Sequence, residues 1–244
     1  LNIMSDAGSL RVFALESAAL GLQTSPKIIK SSLLGAILGF VVAAALAYLR
    51  ELSDKSYRSA EQIAEHLRVP VIGHVPVVKS QAAIAKQIES SLDPFLVSYF
   101  RPKSSSSESF KALRTAIYFS NRGGAHKVIQ VTSPTPGDGK STIAANLAVT
   151  MAQSGKSVLL LDTDLRRPRV QKQFGIDHPC GLAWLLEELP NSPTVEQVRD
   201  LIGEVTRETE IDNLTVIGAG DCPDNPSELL SSSRFDVVLS ALRG

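Results

Sequence analysis

The longest uninterrupted apolar stretch of the chain runs from Ser31 to Leu49 and contains no charged residue. As a helix it would be about 28 Å long, close to the hydrocarbon thickness of a bilayer. The stretch is internal and flanked by Lys27, Lys30 and Arg50, which distinguishes it from an N-terminal secretory signal. The pattern predicts a transmembrane helix over residues 31–49. A buried core helix is the alternative, and such length without a polar break is unusual in water-soluble domains.

Shorter segments follow the apolar stretch. Residues 54–67 have helical spacing, and residues 69–78 are predicted to be extended because Pro70 and Pro76 interrupt them. The polar run Lys103–Ser107 is typical of a flexible joint. We therefore assign residues 50–107 to a juxtamembrane segment and linker. Before the membrane helix, Leu1–Pro26 is predicted to be a strand or short mixed segment.

From residue 108 onward the pattern alternates between helix and strand. A helix precedes an apolar strand at Val128–Val131, and a second helix begins at Thr142. Strands are predicted at Val158–Leu161 and Leu214–Ile217, and helices near Ser227 and over residues 235–244. This alternation predicts an α/β fold, a parallel sheet with flanking helices, which binds ligands at the carboxyl ends of its strands.

The segment SPTPGDGKST, residues 133–142, connects the first predicted strand to the second helix. Backbone N–H groups and a helix N-terminus converge there, so the segment predicts a phosphate-binding loop. The strict pattern begins with Gly, whereas this chain has Pro134. The strand and helix on either side support the interpretation. The candidate ATP-binding residues are Pro136, Gly137, Asp138, Gly139, Lys140, Ser141 and Thr142.

Two carboxylates follow the strand Val158–Leu161, at Asp162 and Asp164. In such a sheet they would lie beside the loop, where carboxylates and phosphates repel each other unless a cation lies between them. We therefore predict a Mg²⁺ site that includes Asp162, Asp164 and the Ser141 hydroxyl, with Lys140 on the β- and γ-phosphates. The alternative is a strand-ending turn without chemistry.

The amino-acid composition excludes some classes of function. The chain of 244 residues has 25 basic and 25 acidic residues, so no positive field for nucleic acid is expected. Cys180 and Cys222 lack zinc-ligand spacing. The four histidines form no cluster. The chain starts at Leu1 and ends inside a predicted helix, so we expect a piece of a longer protein.

Three motifs carry a resemblance to a known family. The segments SPTPGDGKST, VLLLDTDLRRPRV and NPSELL resemble those of the bacterial tyrosine kinases of the polysaccharide co-polymerase type. The resemblance implies that Asp162, Asp164 and the following Arg-Arg-Pro form the second Walker element. It also implies that the helix ESFKALRTAI packs against a neighbouring subunit in a ring, through Glu108, Lys111 and Arg114. Lys111 stands where the family has Arg.

The resemblance also implies an activity. Bound Mg-ATP would phosphorylate tyrosines of a neighbouring subunit, with Lys140, Asp162 and Asp164 as catalytic residues. Asp162 would activate the hydroxyl and Asp164 would hold the metal, although the two roles can be exchanged. The whole protein would regulate the chain length and export of an exopolysaccharide or capsular polysaccharide, together with the export machinery.

The family also implies a location and an organisation. The chain would lie in the bacterial inner membrane with its ATP domain in the cytoplasm. Residues 1–30 would be the end of a periplasmic domain, and residues 108–244 a kinase domain cut before its Walker B strand and tyrosine cluster. Two alternatives stay open. One is a non-catalytic co-polymerase, and the other is a Min/Par-type nucleotide switch, although Thr135 stands where those ATPases carry a lysine.

Overall fold

The computed structural model describes residues 27–54, 59–120, 128–190 and 192–243. The chain divides into two compact units, residues 1–63 and 64–244. Helix α1, Ile28–Ser53, dominates the described part of the first unit and has no buried residue. Its exposure argues against the core-helix alternative. Among the described residues, α1 is the one helix long and apolar enough to cross a membrane. The segment predicted at Leu1–Pro26 lies outside the described residues.

The remaining helices are shorter, and some begin where the sequence carries a recognisable start signal. Thr194 and Gln197 form a capping box at the start of the helix Val195–Val205, and Pro226 occupies the first position of the helix Pro226–Leu230. These helices are α2 (Ala60–Leu67), α3 (Ala82–Gln87), α4 (Val97–Phe100), α5 (Ser105–Ser120), α6 (Lys140–Ala152), α7 (Val170–Gln173), α8 (Leu182–Glu188), α9 (Val195–Val205), α10 (Pro226–Leu230) and α11 (Ser233–Arg243).

The sheet described in the second unit has three strands, β1 (Val158–Leu161), β2 (Thr206–Glu208) and β3 (Leu214–Ile217), in the order β1-β3-β2. Strands β1 and β3 are parallel, with Val158 opposite Leu214. This confirms the predicted α/β class and both of these predicted strands. Strand β2 was not predicted, and it pairs with β3 in the antiparallel direction.

The strand predicted at Val128–Val131 is wrong. Residues 128–133 have no regular secondary structure, and Val128 and Ile129 are 49% and 40% exposed. An apolar run becomes a strand only when a neighbouring strand completes its hydrogen bonds. None of the three described strands pairs with it.

The flexible joint predicted at Lys103–Ser107 is also wrong. Ser105 begins α5, and Ser107 is fully buried. The Ser104 hydroxyl accepts a hydrogen bond from the Ser107 N–H group at 3.2 Å, as a residue that caps a helix does. The serine run therefore starts a helix.

Two hydrophobic clusters form the core of the second unit. The first surrounds α6 and includes Leu96 and Phe100, so the segment before residue 105 packs on the helix that follows the loop. The second lies among α8, α9, α11 and the end of β3. Together they hold β1 and β3 in place, and therefore fix the carboxyl ends of these strands.

Candidate nucleotide site

The loop before α6 depends on two glycines with left-handed backbone conformations. Gly137 has φ of 95° and Gly139 has φ of 90°, and Gly139 immediately precedes the first residue of α6. A Cβ at either position would meet no atom within 4 Å. The requirement for glycine is therefore conformational, because L side chains strain the backbone at these angles.

Hydrogen bonds to Asp138 also connect residues within the loop. The Thr135 backbone N–H group and hydroxyl donate to the Asp138 carboxylate at 3.0 and 2.5 Å. The Thr135 hydroxyl, followed by its backbone N–H group, lowers the pKa of Asp138. The Ser133 hydroxyl donates to the Thr135 carbonyl at 2.9 Å. These contacts stabilise the loop in this conformation.

Lys140 and Asp164 meet at the centre of the site. The Lys140 Nζ atom lies 2.5 Å from Asp164 Oδ2, and both side chains are partly exposed. Burial acts to raise the pKa of Asp164. The hydrogen bonds from Lys140 and from the Arg167 N–H group act in the opposite direction, so the pKa lies below its usual value. Asp164 is therefore charged at neutral pH, and it partners the loop lysine.

Asp162 has a different environment, although it is only two residues from Asp164. It is 4% exposed. Its carboxylate accepts backbone N–H groups from Asp164, Arg169 and Val170, each at 3.0 Å. Asp162 therefore holds the turn between β1 and α7. The structure brings Asp164 to the loop lysine and directs Asp162 toward the backbone.

The remaining candidate residues of the loop are accessible. Ser141 and Thr142 lie in the first turn of α6 and are partly exposed, whereas Pro136 is exposed. Within the described stretches no group of three or more His, Cys, Asp or Glu residues is positioned to hold a metal ion. Any ion in this site would therefore depend on one or two carboxylates, a hydroxyl and ligand oxygens.

Sequence reasoning missed Asn146, which connects α6 to the segment that contains Phe95 and Ser98. Its side chain is fully buried. It accepts the Ser98 N–H group at 2.9 Å and donates to the carbonyls of Phe95 and Thr142 at 3.0 and 2.9 Å. A buried amide in the middle of an apolar helix is the signal that would have revealed it, because such a group must be hydrogen-bonded.

The predicted interface residues on α5 contact their own chain. The Lys111 Nζ atom lies 2.8 Å from Glu108 Oε1 and donates to the Pro102 carbonyl at 2.7 Å. The Arg114 guanidinium donates to the Thr150 carbonyl at 2.6 Å, which ties α5 to α6. Glu108 is the most exposed of the three.

Two of the family-like motifs also contact each other. Arg166, in the segment after Asp164, donates to the Ser227 hydroxyl at 2.9 Å. Ser227 belongs to the NPSELL segment at the start of α10. The segment after β1 and the segment after β3 are therefore linked.

Comparison with known proteins agrees with this geometry. A family model described as "ParA: NUBPL iron-transfer P-loop NTPase" matches residues 124–198. The tyrosine-protein kinase ptk of Acinetobacter johnsonii is 33% identical over 218 residues, which cover 89% of this chain and 28% of that protein. The tyrosine-protein kinase YwqD of Bacillus subtilis (strain 168) is 40% identical over 150 residues, covering 62% of this chain and 59% of that one.

A solved structure supports the same relationship. The BceF tyrosine kinase domain is 36% identical, with a TM-score of 0.60, and the match covers 76% of this chain and 71% of that domain. The chain spans less than a third of the length of the Acinetobacter relative.

Proposed function

Because the chain belongs to the bacterial tyrosine-kinase family, we propose that its second unit binds Mg-ATP at residues 136–142 and transfers the γ-phosphoryl group to tyrosine. The observation that carries the proposal is the pair of Lys140 and Asp164 at the entrance to α6. A lysine at the end of a glycine loop neutralises charge on the terminal phosphates. In this proposal the phosphate oxygens of bound ATP replace Asp164 as the partner of Lys140.

The available side chains suit a magnesium ion. The Ser141 hydroxyl and the Asp164 carboxylate are hard oxygen ligands and are partly exposed, and Mg²⁺ usually binds one or two carboxylates together with phosphates and waters. When bound, the ion would neutralise charge on the β- and γ-phosphates. Asp162 was predicted as a further ligand and as the group that activates the hydroxyl. Its burial and its three backbone hydrogen bonds favour a different assignment, with Asp164 nearest the reacting groups and Asp162 as a positioning residue.

The remaining contributions come from the backbone and from Lys140. The loop N–H groups and the α6 N-terminus bind and orient the phosphates. Phosphoryl transfer requires little covalent chemistry from the protein, so catalysis rests on positioning and on charge stabilisation. A loop already stabilised by Thr135 and Asp138 needs little reorganisation when nucleotide binds.

The membrane and assembly roles are part of the same proposal. Helix α1 would anchor the chain in the inner membrane, with the nucleotide unit on the cytoplasmic side where ATP is available. Ring-like self-association would use α5, with Glu108 as its most exposed predicted contact. Phosphorylation would then regulate the chain length and export of an extracellular polysaccharide, together with the export machinery.

A nucleotide switch is the second candidate, and the family-model match over residues 124–198 favours it. Thr135 stands where the Min/Par-type ATPases carry a lysine, and its backbone N–H group donates to Asp138 within the loop. A switch would hydrolyse ATP and change its assembly state without forming phosphotyrosine. A non-catalytic co-polymerase would retain nucleotide binding at most.

The test compares Lys140→Met with the control Lys156→Met in the protein with its native flanking sequence. Lys156 is an exposed lysine beyond the end of α6. We expect K140M to weaken Mg-ATP binding about 10- to 100-fold, the value of a lost charge-assisted contact, and to abolish phosphotyrosine. K156M should resemble the wild type. Wild-type phosphotyrosine in K140M would discard the kinase proposal, and ATP-driven assembly without phosphotyrosine would favour the switch.

A further inference from the structure

Tyr118 differs from the other tyrosines in its exposure. It lies in the last turns of α5 and is 67% exposed. Tyr99 is partly buried, with its ring edge-to-face against Phe100 at 5.2 Å between centroids, and Tyr48 belongs to α1. Tyr57 lies outside the described residues. In the described part of the second unit, Tyr118 is therefore the more exposed of the two tyrosines, and a second protein molecule can approach it.

The charges around Tyr118 suit a phosphate. Tyr118 follows Arg114 by four residues and Lys111 by seven, so the three residues share one face of α5. Residues 115–120 contain no acidic side chain. A phosphate on Tyr118 would bring a charge of about −1.5 to −2 to within one helical turn of a guanidinium.

The loop of the same chain lies at the other end of α6 from the point where α5 contacts that helix. Arg114 contacts Thr150, which follows Lys140 by ten residues, or about 15 Å of helix. Tyr118 lies one helical turn beyond Arg114 on α5, and the axes of packed helices are about 8–10 Å apart. Reacting atoms must approach to about 3–3.5 Å. While α5 packs on α6, this separation favours transfer from another copy.

We propose that Tyr118 is a phosphorylation site modified by a second copy of this chain. The inference rests on the proposed kinase function. The Tyr118 phenol oxygen forms a bond to the γ-phosphorus of ATP bound to the other copy. The bond between that phosphorus and the bridging oxygen of ADP breaks, ADP leaves, and the phenol proton is released to water.

The product has a structural consequence. The new phosphate competes with the Thr150 carbonyl for Arg114. Its negative charge also lies near the C-terminus of α5, where the helix dipole opposes it. Phosphorylation of Tyr118 therefore loosens the end of α5 from α6.

The experiment mixes two versions of the membrane-embedded chain. The acceptor is labelled with ¹⁵N and carries Lys140→Met, so it cannot act as a donor. The unlabelled donor carries Tyr118→Phe, which keeps the ring beside Phe119. After incubation with Mg-ATP, mass spectrometry follows the labelled tryptic peptide TAIYFSNR, residues 115–122. We expect that peptide to be phosphorylated, and to remain so when the acceptor also carries the control substitution Tyr99→Phe.

The outcomes separate this inference from the proposed function. Phosphotyrosine elsewhere with an unmodified labelled peptide overturns the Tyr118 site and leaves the kinase standing. Phosphorylation of Tyr118 in wild-type chains, but never in the labelled K140M acceptor, overturns transfer between copies. If no chain forms phosphotyrosine, the proposed function fails and the Tyr118 site fails with it.

Discussion

Asp162 and Asp164 have the same side chain and lie two residues apart, but their surroundings give them different roles. Asp162 is buried and accepts three backbone N–H groups. Asp164 is partly exposed and partners a lysine. A buried carboxylate that satisfies backbone donors contributes mainly to stability, because removing it leaves those donors unpaired. An exposed ion pair contributes little to stability and is available for exchange with a ligand.

This difference predicts opposite results for two matched substitutions. Asp162→Asn keeps one oxygen acceptor, so at least one backbone N–H group loses its partner, and the free energy of unfolding should fall by about 1–3 kcal/mol. Asp164→Asn should lower it by less than about 1 kcal/mol, but should reduce phosphoryl transfer strongly. Urea unfolding followed by the fluorescence of Trp184, together with phosphotyrosine assays, measures both effects. Equal destabilisation by the two variants would contradict the division of roles.

At the scale of elements, local patterns predicted what local forces determine. Helices α5, α6 and α11 and strands β1 and β3 follow from apolar spacing, and the glycine loop follows from its residue types. The segment 128–131 has the same strand-like pattern, but a strand depends on a distant hydrogen-bonding partner that local sequence does not specify. The serine run before α5 was ambiguous, because serine suits both a linker and a helix cap.

The candidate site was predicted to a similar extent. The sequence identified the loop, Lys140 and the two carboxylates. It could not separate Asp162 from Asp164, because their burial depends on the turn that leads into α7. It also missed Asn146, whose partners at Phe95 and Ser98 are about fifty residues away along the chain.

A substitution of Asn146 tests how helices are held together, because this residue joins the segment before α5 to α6. Asn146→Ala leaves the Ser98 N–H group and the Phe95 carbonyl without this partner, and should lower the free energy of unfolding by about 2–4 kcal/mol. Gln153→Ala is the matched control, since the Gln153 side chain donates to the Ser98 carbonyl, and its loss should lower the free energy of unfolding by about 1 kcal/mol. Hydrogen exchange at the Ser98 amide should accelerate only in N146A. Unchanged exchange there would show that packing alone holds this segment.

At the scale of the whole molecule, α1 presents apolar side chains on all sides. Leu34, Leu38 and Phe40 are each more than 60% exposed, and none of the 26 residues of the helix is buried. Water solvates such a surface poorly, and a helix that is apolar all round requires a surrounding of protein or lipid. The length of α1 matches the thickness of a bilayer, so we propose that lipid surrounds this helix.

Charged substitutions in α1 test whether this helix is inserted in a membrane. Leu38→Arg combined with Val42→Arg places two charges near the middle of α1, and each should oppose insertion by about 2.5–3.5 kcal/mol. We expect the double variant to leave the membrane fraction on alkaline extraction, whereas the wild type remains in it. Leu52→Arg is the control, because an arginine near the end of a span can extend its charge to the interface, and this variant should stay membrane-bound. If the double variant resists extraction as the wild type does, the apolar surface of α1 is covered by protein, and the proposal of a membrane anchor fails.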